Sequence, residues 1–294
     1  MNEKYPIIKI EPKQANYPYW LSTSTQNKHT IYVRGQLFPT DYRPIAMVGT
    51  RTPSWNGNAL AKELVASLKN CKTSVISGLA HGIDSQCHEA ALKNQVHTVA
   101  VLAQGLDMPI GGPRGRLAGQ ILEQGGALVS PFPLGSKAFK HKFLIRNHFI
   151  AALACATVIV ESRESGGSMH TAAHCLEEGR LLLATPGDIL RKTAQGPNLL
   201  VESQSALALW QCDNLPIFAE LEFISQDSSP SGAVAAQQLD FWNNFAGECL
   251  SIEEIAQRSQ KNLPHLLSIL SELEIQGLVE QTPQKNYSFN KTPP

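Results

Sequence analysis

The chain has 294 residues, 43% hydrophobic and 17% charged, with 25 Lys and Arg against 25 Asp and Glu. That length allows one large core plus a small second domain. A net charge of zero excludes a global field for polyanions, so any nucleic-acid contact must come from a local patch. The six cysteines (71, 87, 155, 175, 212 and 249) include no C-x-x-C, which argues for free thiols in a reducing compartment rather than a disulfide framework or a zinc site. The first residues contain no apolar signal core, and no run approaches about 18 apolar residues, so the expected location is cytoplasmic, without a membrane span.

Residues 1–44 are rich in Pro and Tyr, show little periodicity and read as an N-terminal segment packing on the main domain. From residue 45 the pattern becomes regular. Short apolar runs at 45–48, 74–76, 98–102, 127–129, 157–160 and 181–184 alternate with helix-like segments at about 57–69, 83–93, 115–124, 143–155 and 170–178. This alternation predicts an α/β fold, an extended Rossmann-like parallel sheet with helices on both faces, over residues 45–224.

In such sheets ligands bind where strand carboxyl ends turn into helices. Four of these loops, at 49–57, 77–84, 104–107 and 161–171, combine glycine with small hydroxyl residues or a helix start. Free N–H groups and the helix dipole would make them an anion-binding rim. The first loop lacks G-x-G-x-x-G and no Walker string occurs, so neither a dinucleotide cofactor nor an ATPase is expected, and no cofactor is assigned. Arg51 can fork onto a phosphate or form a salt bridge at the base of its loop. Asp84 and His88 share a helix face, and a structural hydrogen-bond role is preferred for them over acid–base chemistry. His170 and His174 are also four apart, but without a third ligand they do not make a zinc site. Ser77, Ser165 and Ser168 lack the nucleophile elbow of a hydrolase.

The most unusual stretch is 137–148. No acid occurs between Glu123 and Glu161, which leaves Lys137, Lys140, Lys142 and Arg146 without local counter-charge, and Phe139 and Phe143 are interleaved with them. Cations hold phosphates and flat rings hold unstacked bases. The competing reading is a solvated basic helix start whose phenylalanines enter the core.

Val-Gly-Thr-Arg at 48–51, Ser-Gly-Leu-Ala-His-Gly-Ile-Asp at 77–84, Phe-Leu-Ile-Arg-Asn at 143–147, Glu-Ser-Arg-Glu-Ser-Gly-Gly-Ser at 161–168 and Gly-Pro-Asn-Leu-Leu at 196–200 follow one another in order. Over about residues 30–206 this pattern resembles the DNA-processing protein A (DprA/Smf) family. The resemblance implies a protein that binds single-stranded DNA without catalysis, forms a homodimer through its Rossmann fold, and loads a RecA-type recombinase onto strands entering during natural transformation. By matching positions, the site would use Gly49, Arg51, Ser77, Gly78, Lys140, Phe143, Arg146, Asn147, Ser165, Gly166, Gly167 and Ser168, with Lys137 added from the basic stretch. Apolar residues in 149–156 and 199–210 are compatible with the dimer. The chain departs from the family pattern at Ile110–Gly112, at Pro131 and at His148, all on one side of the expected groove. Contact between His148 and phosphate would make binding strengthen toward pH 6.

Residues 225–236 have the composition of a linker, and 237–294 predict three helices and a hairpin, a winged-helix-like domain. Its third helix carries Glu272 and Glu274 but no cation, which argues against duplex binding through that face. Two other functions remain open at this level. One is a nucleotide-binding or phosphoribohydrolase-like enzyme of the same superfamily, and the other is a scaffold that binds protein only.

Overall fold

A computed structural model describes residues 4–224, 241–259, 266, 269–270, 273–274, 278–282 and 286–290, and the chain divides into two compact units, Met1–Ser225 and Gln226–Pro294. The expected linker, 225–236, lies outside the described residues, as does most of the expected helix at 263–276.

The first unit is built on nine strands: β1 (Ile7–Ile10), β2 (Ile31–Gly35), β3 (Ile45–Val48), β4 (Ser74–Ser77), β5 (His97–Val101), β6 (Ala127–Ser130), β7 (Ala156–Ile159), β8 (Leu181–Ala184) and β9 (Leu207–Ala208). They form one sheet in the order β1-β2-β6-β5-β4-β3-β7-β8-β9. From β6 to β9 every pairing is parallel. The N-terminal segment extends this sheet: β2 pairs antiparallel with β6, and β1 with β2. The sheet is therefore mixed. The weak periodicity of 1–44 hid two short strands separated by turns and one short helix.

Eight helices accompany the sheet: α1 (Tyr19–Ser22), α2 (Trp55–Ala66), α3 (Ile83–Lys93), α4 (Gly112–Glu123), α5 (Lys140–Ala152), α6 (Gly167–Glu177), α7 (Gln195–Glu202) and α8 (Asn214–Phe218). Burial on both faces explains the continuous apolar strands. In β3, Ile45 and Met47 join Leu64, Val65 and Ile83 of α2 and α3, while Ala46 and Val48 join Phe149 and Ala151 of α5 and Cys175 of α6. Leu117, Ile121 and Leu122 of α4 pack over Ala100 and Leu128 in a third cluster. Residues 149–156, whose apolar character is compatible with a dimer contact, belong to the core, with Phe149, Ala151 and Ala152 fully buried. Leu199, Leu207 and Trp210, from the other expected segment, are exposed.

In the second unit, β10 (Cys249–Leu250), β11 (Val279–Gln281) and β12 (Tyr287–Phe289) form an antiparallel sheet in the order β10-β12-β11. Helix α9 (Ile252–Ser259) accompanies it. Phe241, Trp242, Phe245, Ile255 and Phe289 make its core, and the Trp242 indole donates to the Leu278 carbonyl at 3.1 Å.

Candidate functional site

The chain builds β3, β4, β5 and β6 outward in one direction, then returns to place β7, β8 and β9 on the other side of β3. The strand order thus reverses between β3 and β7, where an open parallel sheet presents its crevice. A cleft of about 1210 Å³ opens there, lined by Gly49, Thr50 and Arg51 after β3, Ser162, Arg163 and Ser165–Ser168 after β7, and Lys140, His141, Phe143, Leu144, Arg146 and Asn147 of α5.

The loop after β4 holds this rim from behind. Gly82 has φ +85°, and a Cβ there would meet the Thr50 carbonyl at 2.3 Å, so only glycine fits. The Ile83 amide donates to Thr50 O at 3.1 Å, and the Thr50 amide donates to Glu161 O at 2.6 Å, which ties the loops after β3, β4 and β7 together. Glu161 is buried. Its carboxylate accepts from the Ser54 amide at 2.9 Å and the Ser54 hydroxyl at 2.6 Å, and it pairs with Arg191 at 3.2 Å.

Arg51 and Lys140 have no acidic partner among the described residues. The Phe143 ring stands between two guanidiniums, with Arg51 at 5.8 Å and Arg146 at 5.6 Å from its centre. Helix α6 starts at the cleft without a side-chain cap, so its first N–H groups lack intrahelical partners. Among the described residues, Asp84, which is buried, is the only carboxylate lining the cleft.

Ten of the thirteen expected residues line this cleft: Gly49, Arg51, Lys140, Phe143, Arg146, Asn147, Ser165, Gly166, Gly167 and Ser168. Ser77, Gly78 and Lys137 do not. Ser77 is fully buried and its hydroxyl donates to Met47 O at 2.7 Å. The Gly78 amide donates to Asp84 at 3.2 Å, and its carbonyl accepts from Arg146 Nη1. These two residues lie behind the rim and are hydrogen-bonded within the chain. Lys137 is exposed outside the cleft, and its carbonyl accepts from Lys142 Nζ at 2.9 Å.

Arg146 is only 4% exposed. Its Nη1 also donates to Val101 O at 2.7 Å and its Nε to Asn147 at 3.2 Å, so much of its hydrogen-bonding capacity is internal. Burial lowers its pKa to about 10, against the pull of Asp84, and it stays charged at neutral pH. Lys142 is also committed, lying over Phe132 at 5.0 Å and Phe139 at 5.4 Å. Ser168 donates to Ser162 at 2.8 Å, which leaves its backbone amide as its ligand group.

The histidines separate by role. His88 is fully buried and its Nδ1–H donates to Thr98 at 2.7 Å, because the Thr98 hydroxyl hydrogen is used on Val75 O at 2.8 Å. His148 does not line the cleft; its ring nitrogen is bonded to Glu178 at 2.8 Å and to Thr25 at 3.2 Å. His170 lines the cleft, whereas His174 stacks on His148 at 4.1 Å. The only grouped donors among the described residues are His148, His174 and Glu177. The two rings lie 5° from parallel, so their in-plane lone pairs run side by side and do not converge on one ion.

Arg163 is the lining cation that the sequence reading passed over. Its neighbour Glu164 makes it look neutralised in sequence, yet Glu164 does not line the cleft. The signal available was its position, two residues past the last β7-side glutamate and ahead of a glycine pair.

A family model described as DNA recombination-mediator protein A matches residues 9–220, and one described as DprA winged helix domain matches 227–285. Protein Smf of Escherichia coli (strain K12) is 32% identical over 278 residues, which cover 91% of this chain and 73% of that protein. The X-ray structure of DNA processing protein A from Streptococcus pneumoniae has 30% identity and a TM-score of 0.66, covering 75% of this chain and 76% of that one. DNA processing protein A from Helicobacter pylori, solved for its single-stranded DNA binding mode, has 22% identity and a TM-score of 0.65 over 75% and 99%, a likeness of fold.

Proposed function

Because the chain belongs to the DNA recombination-mediator protein A family, we propose that it binds single-stranded DNA in the cleft at the β3–β7 switch point, as a DNA-processing protein without catalysis of its own. One observation carries this reading: Arg51, Lys140, Phe143 and the uncapped start of α6 line one cleft whose only carboxylate, among the described residues, is buried. Arg51 forks onto a phosphate, Lys140 meets one as a point charge, the amides of α6 meet them through hydrogen bonds, and Phe143 offers a face to a base. Thirty per cent identity to the Streptococcus pneumoniae DNA processing protein A and 32% identity to protein Smf of Escherichia coli support it.

On this reading the chain acts in the cytoplasm as a homodimer and passes the bound strand to a RecA-type recombinase during natural transformation. The exposed Leu207 and Trp210 at the β9 edge are consistent with a second copy. Among the described residues, no helix is long and apolar enough to cross a membrane.

Titration of a labelled oligo-dT of roughly 30 nucleotides at several salt concentrations, beside a panel of mononucleotides, tests the reading. Tight oligonucleotide binding that weakens steeply with salt is the expected result. Turnover of a mononucleotide, with no grip on the oligonucleotide, would transfer the site to a phosphoribohydrolase-like enzyme.

A further inference from the structure

Trp55 is 83% exposed, although it is the first residue of α2 and follows the hydrogen-bonded cap residue Ser54. Ser54, just before it, receives Arg191 Nη1 at 2.9 Å and the Gly57 amide at 2.9 Å on its hydroxyl oxygen, while its own amide and hydroxyl donate to Glu161. Among the described residues the indole has no ring or cation partner. A large apolar face is thus left in water next to an anchored turn of the backbone. On the loop that Arg191 ties to Ser54, Ile189 and Leu190 are 81% and 86% exposed.

The loop from Gly49 to Trp55 contains no acid, and its first three residues line the cleft. Trp55 is four residues past Arg51, at most about 14 Å away along an extended chain. A strand whose phosphates follow Arg51 and the neighbouring Arg163 out of the cleft would reach the indole within a few nucleotides. Resting on the single-strand reading above, we propose that Trp55 is a second base-stacking platform outside the cleft, with Ile189 and Leu190 forming its apolar border. Nucleobase stacking is the occupant this position favours: every base has a π-face, and the surroundings supply cations for the intervening phosphates.

The experiment is a fluorescence titration of the full chain with an oligo-dT of roughly 30 nucleotides, paired with anisotropy of the labelled strand. Of the four tryptophans, Trp55 is the one expected to be quenched on binding. Trp55→Phe should remove most of the quench while keeping most of the affinity. Trp55→Ala should weaken binding about tenfold and shorten the occluded length, with the unfolding midpoint unchanged. Wild-type affinity and site size in Trp55→Ala would overturn the proposal, as would a loss confined to self-association in sedimentation. Failure of wild-type protein to bind the strand at all would instead remove the single-strand reading on which the proposal rests.

Discussion

The guanidinium of Arg51 lies 5.8 Å from the centre of the Phe143 ring, joining a loop after β3 to the first turns of α5. The contact places a cation against an aromatic ring, and both residues line the cleft. Removing either partner should therefore affect the other. Arg51→Ala is expected to weaken single-strand binding and to reduce the salt slope by about 0.7, the share of one phosphate. Phe143→Ala should cost about 1–3 kcal/mol of binding with the slope retained. The double variant should lose less than the sum, because the residues touch. Strictly additive losses would show that the pair does not act as a unit on the strand.

Lys140 and Lys137 separate a site cation from a bystander. Both are exposed and three residues apart, but only Lys140 lines the cleft. Lys140→Ala should flatten the salt dependence by about one phosphate contact, while Lys137→Ala should leave affinity within about twofold. Equal losses in matched salt titrations would place the strand's path outside the cleft.

Much of this arrangement was legible in sequence because it depends on local signals. The apolar runs from 45 to 184 form strands buried between helices, and in the acid-free stretch Lys137 and Lys140 are exposed without an acidic partner among the described residues. What stayed hidden depends on partners distant in sequence. Ser77, Gly78 and Arg146 have the residue types of a phosphate site, yet Arg146 reaches Gly78 and Val101 across the sheet and becomes a brace. His148 sits among cations in sequence, but Glu178, thirty residues on, takes its Nε2. Strands β1 and β2 were missed because an antiparallel edge needs only four or five residues, here set among turns.

If Arg146 is chiefly a brace, its loss should appear in stability before binding. Arg146→Met removes a charged donor from two buried carbonyls, each such bond being worth about 1.5–3 kcal/mol, and leaves Asp84 without its nearest compensating charge. The unfolding midpoint should fall by several degrees. Arg146→Lys should recover little, since a single ammonium cannot reproduce the fork. A variant as stable as wild type, but unable to bind the strand, would return Arg146 to the ligand site.

His88 makes a pH-dependent contribution whose sign can be worked out. Burial lowers its pKa from 6.5 to about 3, with the charge of Arg146 acting in the same direction. The folded chain therefore holds this imidazole neutral at pH values where the unfolded chain protonates it. Stability from this residue is complete above about pH 6.5 and is lost on acidification toward pH 3, by roughly 1.4 kcal/mol per pH unit in that window. At pH 5 the loss reaches about 2 kcal/mol. His97, which burial also shifts down, adds to the trend, while Asp84, which burial shifts up, opposes it at the acid end. Comparison with a variant isolates His88. His88→Gln keeps a donor for Thr98 but cannot titrate, so denaturant unfolding between pH 4.5 and 7.5 should give a flatter stability curve than wild type, with the two converging as pH falls. Curves that stay parallel across that range would mean that the unfolded chain gains no extra proton at this position.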